Sequence, residues 1–258
     1  MQPGADRSPQ PGHVLITGAS SGIGAALARA YAAPGRMLTL LGRDPARLNA
    51  VAEDVHRDGA EVATRRVDVT DPAAVAEAVT GAERARPLDL VIANAGISGS
   101  SGGDAADRAR QILRVNVEGV INTVEPALPA MIARGRGQLA LMSSLAGFRG
   151  MPSAPVYCAS KAAVRIYGEA LRARLRARGV RVSILCPGFV ETPLTAANPF
   201  PMPLIMPAAD AAARIKAGLD AGRPMIAFPR RFRLALGLLG LLPASLTDPW
   251  LARVAAKE

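Results

Sequence analysis

From His13 onward, short β-type runs alternate with alanine-rich runs of helical length, and this alternation constrains the fold more than any other feature of the chain. Neighbouring parallel strands need a crossover of a dozen or more residues, and an amphipathic helix is the usual one. VLI at 14–16 opens the series, and a helix over about 23–33 follows, stopped by Pro34 and Gly35. MLTLL from Met37 is the next strand, a helix begins near Pro45, and VATRRVDV from Val62 is the third strand. Asp71 as N-cap with Pro72 at the first helical position starts a helix reaching about Arg86. LDLVIANAG from Leu88 runs into the Gly/Ser-rich ISGSSGG, a long helix spans about 104–134, and QLALMSS from Gln138 is the fifth strand. A helix over about 156–178, a sixth strand RVSILCPG from Arg181 and a seventh, MIAF from Met225, complete the pattern. The reading is a doubly wound α/β fold, a parallel sheet with helices on both faces.

Length fits one such domain: of 258 residues half are hydrophobic, enough for a core shielded on both sheet faces. Residues 1–12, MQPGADRSPQPG, lack the apolar centre of a signal peptide and predict a loose tail on a cytoplasmic protein. Lys and Arg outnumber Asp and Glu by 31 to 21, which raises nucleic acid or anionic membrane as partners. The arginines are spread along the chain, however, and ALRARLRARGVR reads as a solvated helix face. Aromatics at 3% leave little to stack on bases, so no nucleic-acid partner is expected. With Cys158 and Cys186 the sole cysteines and His13 and His56 the sole histidines, no metal centre is expected, and the two thiols read as core fillers.

VLITGASSGIGAAL sets Gly18, Gly22 and Gly24 between a buried strand and a helix start. Such a turn brings free backbone N–H groups and a positive helix end close to a pyrophosphate. Its GxxxGxG spacing is neither the GxGxxG fingerprint nor a P-loop, and a purely structural turn is the other reading. At the end of the second strand, Gly42 stands where an acid would hold a ribose 2′-hydroxyl, and Arg43 follows; that favours NADP(H) over NAD(H), with Asp44 arguing the other way.

In VYCASKAAV, Tyr157 and Lys161 are one helical turn apart and project from one face. A free phenol titrates near ~10, and lowering that by ~3 units takes about 4 kcal/mol of preferential phenolate stabilisation, a task for a nearby ammonium and a cationic ring. Alone the pair could be a solvated one. Ser144 ends the fifth strand, where its hydroxyl could bond a carbonyl oxygen, ANAG ends the fourth, and Asn116 in RVNVEG is a poor helix former whose interior place calls for a tertiary explanation.

TGASSGIG, ANAG, Asn116, Ser144, YCASK and PGFVET together resemble the short-chain dehydrogenase/reductase family in its form of about 250 residues, in order and at family spacing from Val14 to Thr192. The resemblance implies a Rossmann-type sheet of seven strands in the order 3-2-1-4-5-6-7, and a dimer or tetramer formed through two long helices. It implies Tyr157 as general acid in reduction and base in oxidation, Ser144 polarising the substrate oxygen, and Lys161 binding the nicotinamide ribose and depressing the Tyr157 pKa. Asn116 would position a water in a relay through Lys161. Gly18, Ser20, Ser21, Gly22, Ile23 and Gly24 would hold the cofactor, with Asp68 and Val69 against the adenine and Asn94, Ala95 and Gly96 along its length. Thr192, after Pro187 and Gly188, would hold the carboxamide. Pro34, at the end of the first helix, departs from the family pattern and should affect only local geometry.

In the family the region 192–224 forms a lid, and its PLTAANPFPMPLIMP is apolar and rich in Met and Pro, which suggests a bulky apolar alcohol or ketone, lipid-, steroid- or retinoid-like. The extension 229–258 joins Arg230, Arg231 and Arg233 to leucine-rich turns: it could close the pocket, bury itself in another subunit or, over 230–258, touch an anionic membrane peripherally. Its apolar run LALGLLGLLP is too short to span a bilayer. Against the enzyme stand two other readings, a non-catalytic dinucleotide-binding regulator and a basic membrane-surface adaptor.

Overall fold

The computed structural model describes residues 11–98, 104–196, 198, 202–243 and 245–249. Residues 1–10 of the expected tail, 99–103 of the Gly/Ser-rich loop, and parts of the expected lid and extension lie outside the described residues. Seven strands, β1 (His13–Thr17), β2 (Met37–Gly42), β3 (Glu61–Arg66), β4 (Leu90–Ala93), β5 (Gly137–Met142), β6 (Val180–Pro187) and β7 (Met225–Phe228), form one parallel sheet. Their order is 3-2-1-4-5-6-7, as expected.

β1 is buried along its whole length, as a strand covered on both faces must be. Its alternation divides the interior. Val14 and Ile16 join the core built by α1 (Gly22–Tyr31), α2 (Pro45–Arg57) and α9 (Ala208–Asp220), whereas Leu15 joins the core under α3 (Pro72–Ala85), the composite helix after it and α7 (Pro155–Leu175). Leu15 pairs with Thr39 of β2 on one side and Val91 of β4 on the other, so the winding reverses between β1 and β4 and opens a crevice at their carboxyl ends.

Caps follow the sequence signals. Asp44 and Asp71 accept bonds from first-turn N–H groups of helices that begin with proline, and Asp104 does the same for α4 (Ala105–Leu113). α1 ends at Tyr31 and Ala32 is already extended, two residues before the chain reaches Pro34.

The region read as one helix over 104–134 is interrupted twice. A π-turn, Arg114–Glu118, lies between α4 and α5 (Gly119–Val124), and a 3₁₀ turn, Glu125–Ala127, precedes α6 (Leu128–Ala133). Pro126 removes a backbone donor at the second break. The first coincides with Asn116, whose side chain is committed to tertiary bonds described below. β3 stops at Arg66, short of the expected strand, because Asp68 turns the chain: its Oδ1 accepts from the Thr70 N–H at 2.9 Å and the Thr70 hydroxyl at 2.8 Å.

Candidate active site

The sheet's carboxyl edge gathers the expected residues by topology alone. Gly18 follows β1, Arg43 β2, Asp68 β3, Asn94 β4, Ser144 β5 and Gly188 β6. A single cleft of about 950 Å³ runs past all of them, and every site residue expected from sequence lines it except Gly24 and Asn116, which lie buried behind its wall.

At one end the cleft is bordered by Arg43, Asp44, Arg47, Asp68 and Val69. Arg43 is exposed. Asp44 is already engaged: its carboxylate caps α2 and meets the Arg47 guanidinium at 2.7 Å. Burial alone would raise the Asp68 carboxyl, but the two Thr70 hydrogen bonds and the Arg43 charge prevail and hold it below its ordinary value.

The glycine turn is packed to its limit. A Cβ on Gly24 would stand 2.2 Å from the Gly18 carbonyl oxygen and 2.6 Å from Asn94 Nδ2, and Gly18 itself has φ +65°. Asn94 ties the turn to β4: its Nδ2 donates to the carbonyls of Thr17 at 2.9 Å and Gly18 at 3.3 Å, while the Thr17 hydroxyl accepts from the Asn94 and Ala95 N–H groups. Ser21, N-cap of α1, makes no side-chain cap bond, so the positive end of that helix is left to the cleft. Free N–H groups, a helix dipole and close backbone approach fit a pyrophosphate. Gly24→Ala should therefore cost about 1–3 kcal/mol of stability and most of the dinucleotide affinity, checked by urea denaturation and cofactor titration.

Tyr157 lies in the first turn of α7, and Lys161 one turn on. Burial pushes the Tyr157 phenol up to about 12, the Ser144 hydroxyl's hydrogen bond pulling the other way. Burial pushes the Lys161 ammonium down to about 8. Lys161 Nζ donates to the Met142 carbonyl at 3.0 Å and lies 5.6 Å from the centre of the Tyr157 ring. For the phenol, desolvation outweighs the Ser144 hydrogen bond. Ser144 caps the turn Leu145–Gly147 by accepting from the Ala146 N–H at 3.1 Å and reaches the Pro187 carbonyl at 3.3 Å.

Asn116 is fully buried and both its amide atoms are taken. Oδ1 accepts from the Ile97 N–H at 2.8 Å; Nδ2 donates to the Ile97 carbonyl and to Ser160 Oγ, each at 3.0 Å. Ser160 in turn donates to the Tyr157 carbonyl at 2.7 Å. The Asn116 side chain clamps the β4 loop to the turn that carries the phenol.

Pro187 and Gly188 close the cleft after β6, and the Thr192 methyl packs against Gly22. The far end is walled by Leu145, Met151, Phe189, Leu194, Phe232 and Leu236, with the Phe189 and Phe232 rings 6.3 Å apart. α10 (Arg230–Leu241) supplies the last two side chains, so this part of the extension forms cleft wall. The span expected as a lid, 192–224, contains α9, which is packed in the core through Ala211, Ala212, Ile215 and Leu219; before it, the short α8 (Pro193–Ala196) borders the cleft. Thr17, Arg47, Phe232 and Leu236 are site residues that the sequence reading passed over. Their one signal was position: a threonine at a strand end, an arginine in the first turn after Asp44, and apolar residues four apart at 232 and 236.

Among the described residues no cluster of three His, Cys, Asp or Glu could hold a metal ion, and no helix is long and apolar enough to cross a membrane.

Residues 12–200 match the family model described as short chain dehydrogenase. An uncharacterized oxidoreductase of Myxococcus xanthus is 39% identical over 91% of this chain and 94% of its own length. Galactitol 2-dehydrogenase (L-tagatose-forming) of Cereibacter sphaeroides is 40% identical over 70% of this chain and 72% of its own. Among solved structures, a short chain dehydrogenase/reductase of Burkholderia phymatum in complex with NAD aligns with a TM-score of 0.79, 27% identity and coverage of 87% and 91%. A short-chain dehydrogenase of Sphingobium yanoikuyae in complex with NADPH aligns at 0.77, with 25% identity and coverage of 95% and 94%. A match across most of the chain, on a sheet of this order, establishes it as an oxidoreductase of the short-chain dehydrogenase/reductase family.

Proposed function

We propose that the enzyme transfers hydride between NADP(H) and a bulky, apolar secondary alcohol or ketone. One observation carries this reading: a continuous cleft leads from exposed Arg43 past the glycine turn to an apolar wall, with Ser144, Tyr157 and Lys161 lining it between the two ends. The bound nicotinamide dinucleotide supplies the hydride acceptor or donor. Tyr157 holds a proton on its phenol oxygen and gives it to the substrate oxygen in reduction; the reverse transfer serves oxidation. Ser144 polarises that oxygen by a hydrogen bond. Lys161, freed from Met142, binds the ribose, and its charge then favours the phenolate. Asn116 acts as a positioning residue, fixing the Ile97 backbone and, through Ser160, the first turn of α7. Ser20, Ser21, Gly22 and Ile23 receive the pyrophosphate, Asp68 and Val69 border the adenine, Asn94, Ala95 and Gly96 flank the cofactor, and Thr192 with Pro187 and Gly188 meets the carboxamide.

The preference for NADP(H) rests on the contrast between Arg43 and Asp44. An exposed guanidinium suits a 2′-phosphate, and Asp44, the acid next to it in sequence, is bound to Arg47 and its helix. Arg43→Ala should raise KM for NADPH by about 10- to 100-fold and leave KM for NADH within a few-fold. Parallel assays with the two cofactors decide it, and a wild-type preference for NADH refutes the assignment. The apolar wall favours a lipid-, steroid- or retinoid-like compound over a polyol of the kind named for the Cereibacter relative. A consumption screen of both substrate types tests this. Exposed Ile121 and Ile166, on α5 and α7, support a homodimer or homotetramer formed through those helices.

A further inference from the structure

α10 has two faces with different occupants. Phe232 and Leu236, one turn apart, point into the cleft, and Leu236 is 4% exposed. On the opposite side stand Leu234 and Leu238, 65% and 57% exposed, with Arg230 one turn before Leu234. Between them Gly237 presents no side chain and has open space around it. Past the helix end the apolar strip continues with Leu242 and Leu246, 48% and 66% exposed. Arg231 and Arg233 flank the strip at its start, and none of the three arginines forms a salt bridge among the described residues. No acidic residue occurs from Pro229 through Thr247, and the next, Asp248, faces Arg149 at 3.6 Å.

We infer that the outer face of α10 docks on an anionic lipid bilayer, leucines at the acyl boundary and arginines among the phosphates. Guanidinium groups bind phosphate in a planar, multiply bonded mode, and an exposed apolar strip beside them matches the cross-section of a lipid surface. A second copy of the chain fits less well. A two-fold contact sets a patch against itself, which here brings arginine to arginine with no carboxylate on the helix to separate them. The same helix would then face bilayer and cleft, giving an apolar substrate a short passage between them. That passage rests on the substrate reading above. Docking itself does not, and its test requires no turnover, so the two can fail separately.

The test is flotation of the full chain with vesicles of phosphatidylcholine alone or with about one third phosphatidylserine, at low and at about 0.5 M salt. Binding to the phosphatidylserine vesicles, weakened by salt, is expected. The double variant Leu234→Glu with Leu238→Glu should lose it at least about tenfold. Its thermal midpoint and cofactor binding should not change. Failure of the wild type to float with either vesicle overturns the inference. So does a double variant that floats equally well. A wild type that does not float and loses subunits on Leu234→Glu with Leu238→Glu, seen by sedimentation, identifies the strip as a contact between copies instead.

Discussion

Tyr157→Phe removes turnover by about three orders of magnitude while leaving the dissociation constant of the cofactor within a few-fold. The phenol oxygen is the proton carrier, and loss of a positioned acid or base costs typically ~10²–10⁴ in rate. Phenylalanine keeps the ring that packs in the first turn of α7. Turnover with saturating cofactor and direct titration of NADPH provide the two readouts; undiminished activity would remove Tyr157 from the chemistry. The wild-type profile carries a second sign. With the phenol pushed up to about 12, it is protonated at neutral pH, the form that reduction uses. Oxidation requires the phenolate, so its rate should climb with pH while reduction stays level through neutrality.

Lys161→Met is expected to separate stability from function. Lys161 is 3% exposed, and its ammonium donates to the Met142 carbonyl. Its pKa falls from an ordinary 10.5 to about 8. Between those values the unfolded chain holds a proton that the folded chain has lost, so stability rises with pH through that window. Below it the buried charge costs the fold on the order of 3 kcal/mol. Methionine of similar length removes that cost, so the variant should be more stable by about 1–3 kcal/mol at pH 7 and lose the rise between pH 8 and 10. Its turnover should fall by at least ~100-fold. Urea unfolding at pH 7 and about 9.5, beside an activity assay, checks each half, and a destabilised variant would show that the ammonium holds the fold together.

Much of this was legible because topology does the gathering. Once the alternating runs are read as a parallel sheet, residues after Thr17, Gly42, Arg66, Ala93, Met142 and Pro187 must meet at one edge, however far apart in sequence. The turn glycines, Arg43, Ser144 and Tyr157 could be placed that way. Asn116 was conspicuous as a polar residue in a helix, yet its partners could not be read, because the π-turn at 114–118 shifts the phase of the helix there, and a short run of sequence does not mark where such a turn falls. Thr17 looks like any buried strand residue. Its importance lies in two backbone bonds across to β4. Phe232 and Leu236 have helical spacing, but spacing cannot say which face turns toward a cleft.

Strand order also has a bearing on synthesis. Since β1 lies between β2 and β4, a nascent chain that has emerged only through β3 carries an open hydrogen-bonding edge on a strand that the finished sheet buries along its whole length. Some thirty further residues must leave the ribosome before Leu90–Ala93 can cover it, and until then that edge is the place where chaperone capture or intermolecular pairing would begin.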